Sequence, residues 1–108
     1  MASNYKVLGQ SNPAAATLTT LYTVPSATQA VASTLSICNQ GLSTTVRVAV
    51  RPAGASIVAA HYIVHDLTLN QYDSLFLTIG LSLATTDVVS VYAGTTTVSF
   101  NLFGSEIV

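Results

Sequence analysis

Charge is scarce in this sequence. Its 108 residues include three Lys or Arg and four Asp or Glu, a formal net charge of −1, and charged residues make up 6% of the chain. From Val7 to Val46 there is no charged residue at all. So little charge leaves no electrostatic footprint for nucleic acid or for an anionic membrane. Tryptophan is absent and aromatics reach only 7%, which argues against a sugar-cleaving site built on stacking platforms. One cysteine, Cys38, is present; a lone thiol excludes an internal disulfide framework and any multi-cysteine metal site. No run approaches the ~20 predominantly apolar residues of a membrane-spanning helix. The start, MASNYKVLGQ, lacks a basic segment followed by an apolar stretch, so no signal peptide is expected.

Hydrophobic residues are nonetheless half of the chain and mean hydropathy is +0.58. Disorder, which needs low hydrophobicity and high net charge, is excluded. The remainder is rich in Thr, Ser, Ala and Val, residues that suit a pleated and half-buried surface. A folded surface with so few charges is poorly defended against association. We read it as a surface meant to be covered by copies of itself or by a larger assembly.

The dominant period is two. Leu18–Pro25 reads as a short strand stopped by proline. Ala30–Asn39 reads as a strand with Val31, Ser33, Leu35 and Ile37 on one face, followed by a turn at Gln40–Ser43. In Thr44–Arg51, Val46, Val48 and Val50 point one way and Arg47, Ala49 and Arg51 the other, and Pro52 ends the strand. Ser56–Leu67 is a longer, partly apolar run. Ser74–Leu83 places Leu75, Leu77, Ile79, Leu81 and Leu83 on one face. Two further strands flank a tight turn at Ala93-Gly94, Tyr5–Gln10 forms another short one, and Gly104–Val108 reads as an edge or tail. These seven or eight strands, with turn residues between them, predict an all-β fold. We expect an antiparallel β-sandwich, one domain over residues 1–108 with short, extended termini.

The candidate site residues follow from this pattern. Arg47 and Arg51 share a face roughly 13 Å apart. Arginine suits interfaces because its planar fork donates several bonds at low hydration cost. The two are therefore candidate anchors for carboxylates on a neighbouring copy, with Asp66, Asp73, Asp87 or Glu106 as candidate partners and Tyr62 as a candidate interface aromatic. The plainer reading is that the arginines keep one sheet face wet and block edge pairing. His61 and His65, also four apart on a strand, lie too far from each other to hold one ion. Cys38 reads as a small, half-buried thiol. No G-x-S-x-G or other nucleophile motif is present. No catalytic residue, cofactor, metal or small-molecule substrate is expected.

The segments TTLYTVP (Thr19–Pro25), Cys38-Asn39, VRVAVR (Val46–Arg51) and the closing stretch Asp87–Glu106 together resemble a family of small virion structural proteins of tailed bacteriophages, many of them cyanophages. The likeness covers most of the chain. It implies a jelly-roll-like sandwich that decorates or cements the capsid exterior, often as a homotrimer bound to the major capsid protein. It also leaves a tail- or fibre-associated role, including recognition of host-surface glycans, as the alternative. No catalytic residues accompany it.

Overall fold

The computed structural model describes residues 3–108. Among them are nine strands: β1 (Ser3–Ser11), β2 (Thr19–Thr23), β3 (Gln29–Asn39), β4 (Thr44–Arg51), β5 (Tyr62–Leu69), β6 (Ser74–Leu77), β7 (Leu81–Leu83), β8 (Val88–Ala93) and β9 (Val98–Ile107). Single 3-10 turns occur at Pro52–Gly54 and Ala59–His61. Every strand pairing is antiparallel. One sheet runs β1-β9-β3-β6, with β7 also on β3; the other runs β2-β8-β4-β5.

The ladders are nested. β4 pairs with β5, β3 with β6 and β7, β2 with β8, and β1 with β9. The chain therefore turns back once, between β4 and β5, and the resulting two-stranded ribbon winds through both sheets. That winding is a jelly-roll sandwich. β6 and β7 lie along the two halves of β3 and act as one interrupted strand, so eight strand positions are filled by nine segments. The expected all-β antiparallel sandwich is the observed fold.

The core lies where alternation put it. Val46, Val48, Val89, Val91, Leu35, Ile37, Phe100 and Leu102 are sealed between the sheets. Leu75, Leu77 and Leu81 pack against them from one side, and Leu83 closes the same layer.

Five local expectations are corrected. First, β3 carries a bulge at Ser33, between Ala32 and Thr34. The extra residue reverses the alternation, so Ala30 and Ala32 face the core with Leu35 and Ile37, while Val31 and Ser33 face outward. Second, Ser74–Leu83 is two strands rather than one. The break falls at Thr78–Gly80, where Gly80 takes φ 56°, a left-handed conformation open to glycine. Third, Ser56–Leu67 begins as loop and a 3-10 turn before β5 starts at Tyr62. Fourth, Ala93-Gly94 is not the turn of a hairpin: Gly94–Thr97 carries the chain from one sheet to the other. Fifth, Gly104–Ile107 is neither edge nor tail. It belongs to β9, which sits between β1 and β3 in the interior of its sheet.

Bulges also close the side of the sandwich where edge strands β1 and β2 meet. Leu8 and Leu21 are the extra residues, and both turn into the core. The strands approach closely there.

Candidate interaction surfaces

The four carboxylates and three basic side chains are distributed unevenly over the sandwich. Alternation on β4 and β8 sends Arg47, Arg51, Ser90 and Tyr92 to the outer face of the β2-β8-β4-β5 sheet. Arg47 Nε donates to Asp66 Oδ1 at 2.6 Å and Nη2 to Asp66 Oδ2 at 3.3 Å. The Arg47 guanidinium also stacks 4.3 Å from the Tyr92 ring centroid. Asp66 reaches Arg47 because it occupies an irregular position on β5 with φ 52°. This pairing holds the Asp66 carboxyl below its usual range, chiefly through the hydrogen bond from Arg47, and raises the Arg47 guanidinium in return. Arg51 donates to Ser90 Oγ at 3.1 Å and to the Ala55 carbonyl at 3.1 Å. Each arginine thus has partners within its own chain. Tyr62 packs edge-on against His65, with ring centroids 4.8 Å apart. His61 stands apart from this group and accepts the Val58 amide at 3.3 Å through Nδ1.

Glu106 lies elsewhere. It is 8% exposed and points between the sheets. Tyr22, from the opposite sheet, donates its hydroxyl to Glu106 Oε2 at 2.5 Å, and Lys6 Nζ donates to Oε1 at 3.0 Å. The hydrogen bond from Tyr22, followed by that from Lys6, holds the Glu106 carboxyl below its usual value. Burial, reinforced by the neighbouring carboxylate, pushes the Tyr22 hydroxyl above its usual value. The group clamps the two sheets at one end of the sandwich.

At the other end a single buried amide ties three loops. Asn39, 1% exposed, ends β3 on the inward register of Leu35 and Ile37. Its Nδ2 donates to the carbonyls of Leu42, Leu69 and Asn70 at 2.9, 3.3 and 3.0 Å. Its Oδ1 accepts from the Gly41 amide at 3.1 Å and from Thr97 Oγ1 at 2.9 Å. The loops so fixed present Leu42 and Tyr72, both more than 70% exposed. Sequence reading passed over Asn39 as a structural element. The signal was available, since period two from Leu35 puts position 39 on the core side.

The outer face of the β1-β9-β3-β6 sheet is different in kind. The register brings Tyr5, Ser105, Val31 and Ser82 into one row, and Val7, Phe103 and Thr34 into the next. Gln10, Asn101, Ser36 and Phe76 form a third, and Ser99, Cys38 and Ser74 a fourth. None of these outward positions carries a charge. Tyr5, Val7, Val31, Phe76 and Phe103 are exposed. Cys38 is half-buried and free.

No set of three or more His, Cys, Asp or Glu side chains gathers among the described residues. A depression of about 510 Å³ is lined by Ala27, Thr28, Gln29, Thr85, Ile107 and Val108, none of which is an acid or base in its side chain. Comparison of the chain with models of known families, with curated proteins and with solved structures finds no match.

Proposed function

We propose that this chain is a non-enzymatic structural subunit of a virion, a decoration or cement protein of the tailed-bacteriophage type. It binds the exterior of the major capsid protein lattice, as a homotrimer, and stabilises the shell. The observation that carries the reading is the division of the surface: one broad sheet face has no charge on its outward positions, and the Arg47–Asp66 pair lies on the other. Jelly rolls recur in viral capsid proteins and also in lectins, and that part of the argument is analogy. The sequence resemblance supports the same reading. Binding would come from burying apolar area at about 25 cal/mol per Å², less the cost of association. Joining three subunits multiplies a weak contact by avidity.

The test is addition of the purified protein to empty shells of the parent virus that lack it. We expect saturable co-sedimentation at a stoichiometry set by the lattice, and a higher temperature for shell disruption. Failure to bind shells of any maturation state overturns the proposal.

A second reading is favoured by Leu42 and Tyr72 alone: a tail- or fibre-borne module that engages host-surface glycans through its loop end. Tyr72, a bulky residue held at φ 60°, is an outlier of the kind that clusters at binding sites. Glycan-array binding abolished by Tyr72→Ala supports this reading, and an array without hits removes it.

A further inference from the structure

We infer that the outer face of the β1-β9-β3-β6 sheet is a self-association surface, which packs against the same face of a second copy about a two-fold axis. The inference concerns the free protein and does not depend on the virion reading.

Three observations point to this occupant. The first is electrostatic. All outward strand positions of the sheet are neutral, whereas Arg47, Arg51 and Asp66 occupy the opposite face. A charged partner laid on the neutral face would lose hydration and gain no counter-charge. A second copy of the same face brings no charge to desolvate. The second is polar complementarity. The polar side chains of this face are Ser, Thr, Asn and Gln, each of which both donates and accepts hydrogen bonds. A surface of acceptors only, or donors only, cannot pair with itself; this one can. The third is size. The molecule measures 44 × 27 × 20 Å, so its largest projection, roughly 1,200 Å² as a rectangle, leaves room for the about 800 Å² per partner of a standard protein interface. Tyr5, Val7, Val31 and Phe103 form a contiguous apolar patch on adjacent strands, and Phe76 stands across β3 from it. Two such sheets can stack about 10 Å apart with aligned strands. Because each copy offers the same patch, the contact is isologous and closes on itself.

Alone, this contact makes a dimer. Joined to a three-fold contact elsewhere, it makes a pair of trimers. The wild-type protein, sized by light scattering without shells, is expected at an even multiple of the 11.2 kDa chain mass. Tyr5→Lys and Phe76→Lys put like charges across the two-fold at sites already open to solvent, so they spare the fold, and each should halve the mass. Thr20→Lys, on the opposite face, should leave it unchanged. Cys38 gives an independent readout because it lies on the same face. Labelling of its thiol by a bulky maleimide should be slow in the wild type and at least several-fold faster in the lysine variants. A monomer at every concentration, an odd-numbered oligomer, or equal masses and equal Cys38 labelling in wild type and variants would overturn the inference. A lone trimer would overturn this inference and leave the trimeric reading standing, whereas failure to bind shells, measured separately, would remove that reading and leave this one untouched.

Discussion

Replacing Asn39 by alanine removes five polar contacts at once. The amide nitrogen has two hydrogens shared over the carbonyls of Leu42, Leu69 and Asn70, and the amide oxygen accepts from Gly41 and Thr97. Counted by hydrogens, that is four bonds, each with a net value of about 1 kcal/mol. Some of the freed groups lie in partly exposed loops and regain water; the Leu69 contact is buried and does not. The expected loss is therefore about 3–4 kcal/mol, a large share of the roughly 5–15 kcal/mol that holds a domain folded. Urea unfolding followed by far-UV circular dichroism measures it. The midpoint should fall while the slope m stays constant, because the surface exposed on unfolding barely changes. Asn39→Asp sharpens the test. It keeps the volume and the acceptor oxygen but turns a second oxygen toward three carbonyls, so it should cost at least as much as alanine at neutral pH. A loss below about 1 kcal/mol for Asn39→Ala would refute the argument: water would then serve the loops as well as the amide does.

The remaining predictions concern other parts of the sandwich. Glu106 titrates lower in the folded chain than in the unfolded one, so its contribution is complete above about pH 4.3 and is lost as pH falls through the folded value; Asp66 adds to the same acid flank. Tyr22 is raised on folding, so its contribution is complete below about pH 10 and is lost as pH climbs toward the folded value. The urea midpoint measured against pH should show both flanks; Glu106→Gln should flatten the acid one, and an unchanged profile would contradict the Tyr22–Glu106–Lys6 clamp. Gly104→Ala should cost about 3 kcal/mol by overpacking, since its Cβ would overlap the Val31 carbonyl and the Ala32 backbone beside the β3 bulge, and a neutral result would mean the two strands can part there freely. Tyr72→Asn should raise stability by about 0.5–1 kcal/mol, because asparagine tolerates the left-handed backbone that a bulky residue resists; thermal unfolding checks its sign.

Much of the fold was legible because strand alternation is a local property. Val46, Val48 and Val50 had to share a face opposite Arg47 and Arg51, and they do. Leu75, Leu77, Ile79, Leu81 and Leu83 were placed on one face; the four leucines do share the core side, but Ile79 lies in the break between β6 and β7 and is exposed. The errors fall where a partner strand decides. Nothing within Ala30–Asn39 announces that Ser33 is the extra residue, since the bulge exists to fit β3 against β9 near Gly104. The role of Glu106 was hidden for a related reason. Its hydroxyl partner, Tyr22, lies 84 residues away on the opposite sheet, and no spacing rule links the two. Asp66 was named as a carboxylate for an arginine, but that it serves Arg47 of its own chain follows from the irregular backbone at that position of β5.

By itself the sequence determined the class of the fold, the opposed faces of β4 and the shortage of charge. Those follow from period two and composition, which neighbouring residues settle among themselves. Only the tertiary structure decided where the few charges meet, that the Gly104–Ile107 segment runs through the middle of a sheet, and that one whole face is left neutral. Those depend on which strand lies beside which, and in a ribbon wound through two sheets that order is set by contacts between residues far apart in the chain.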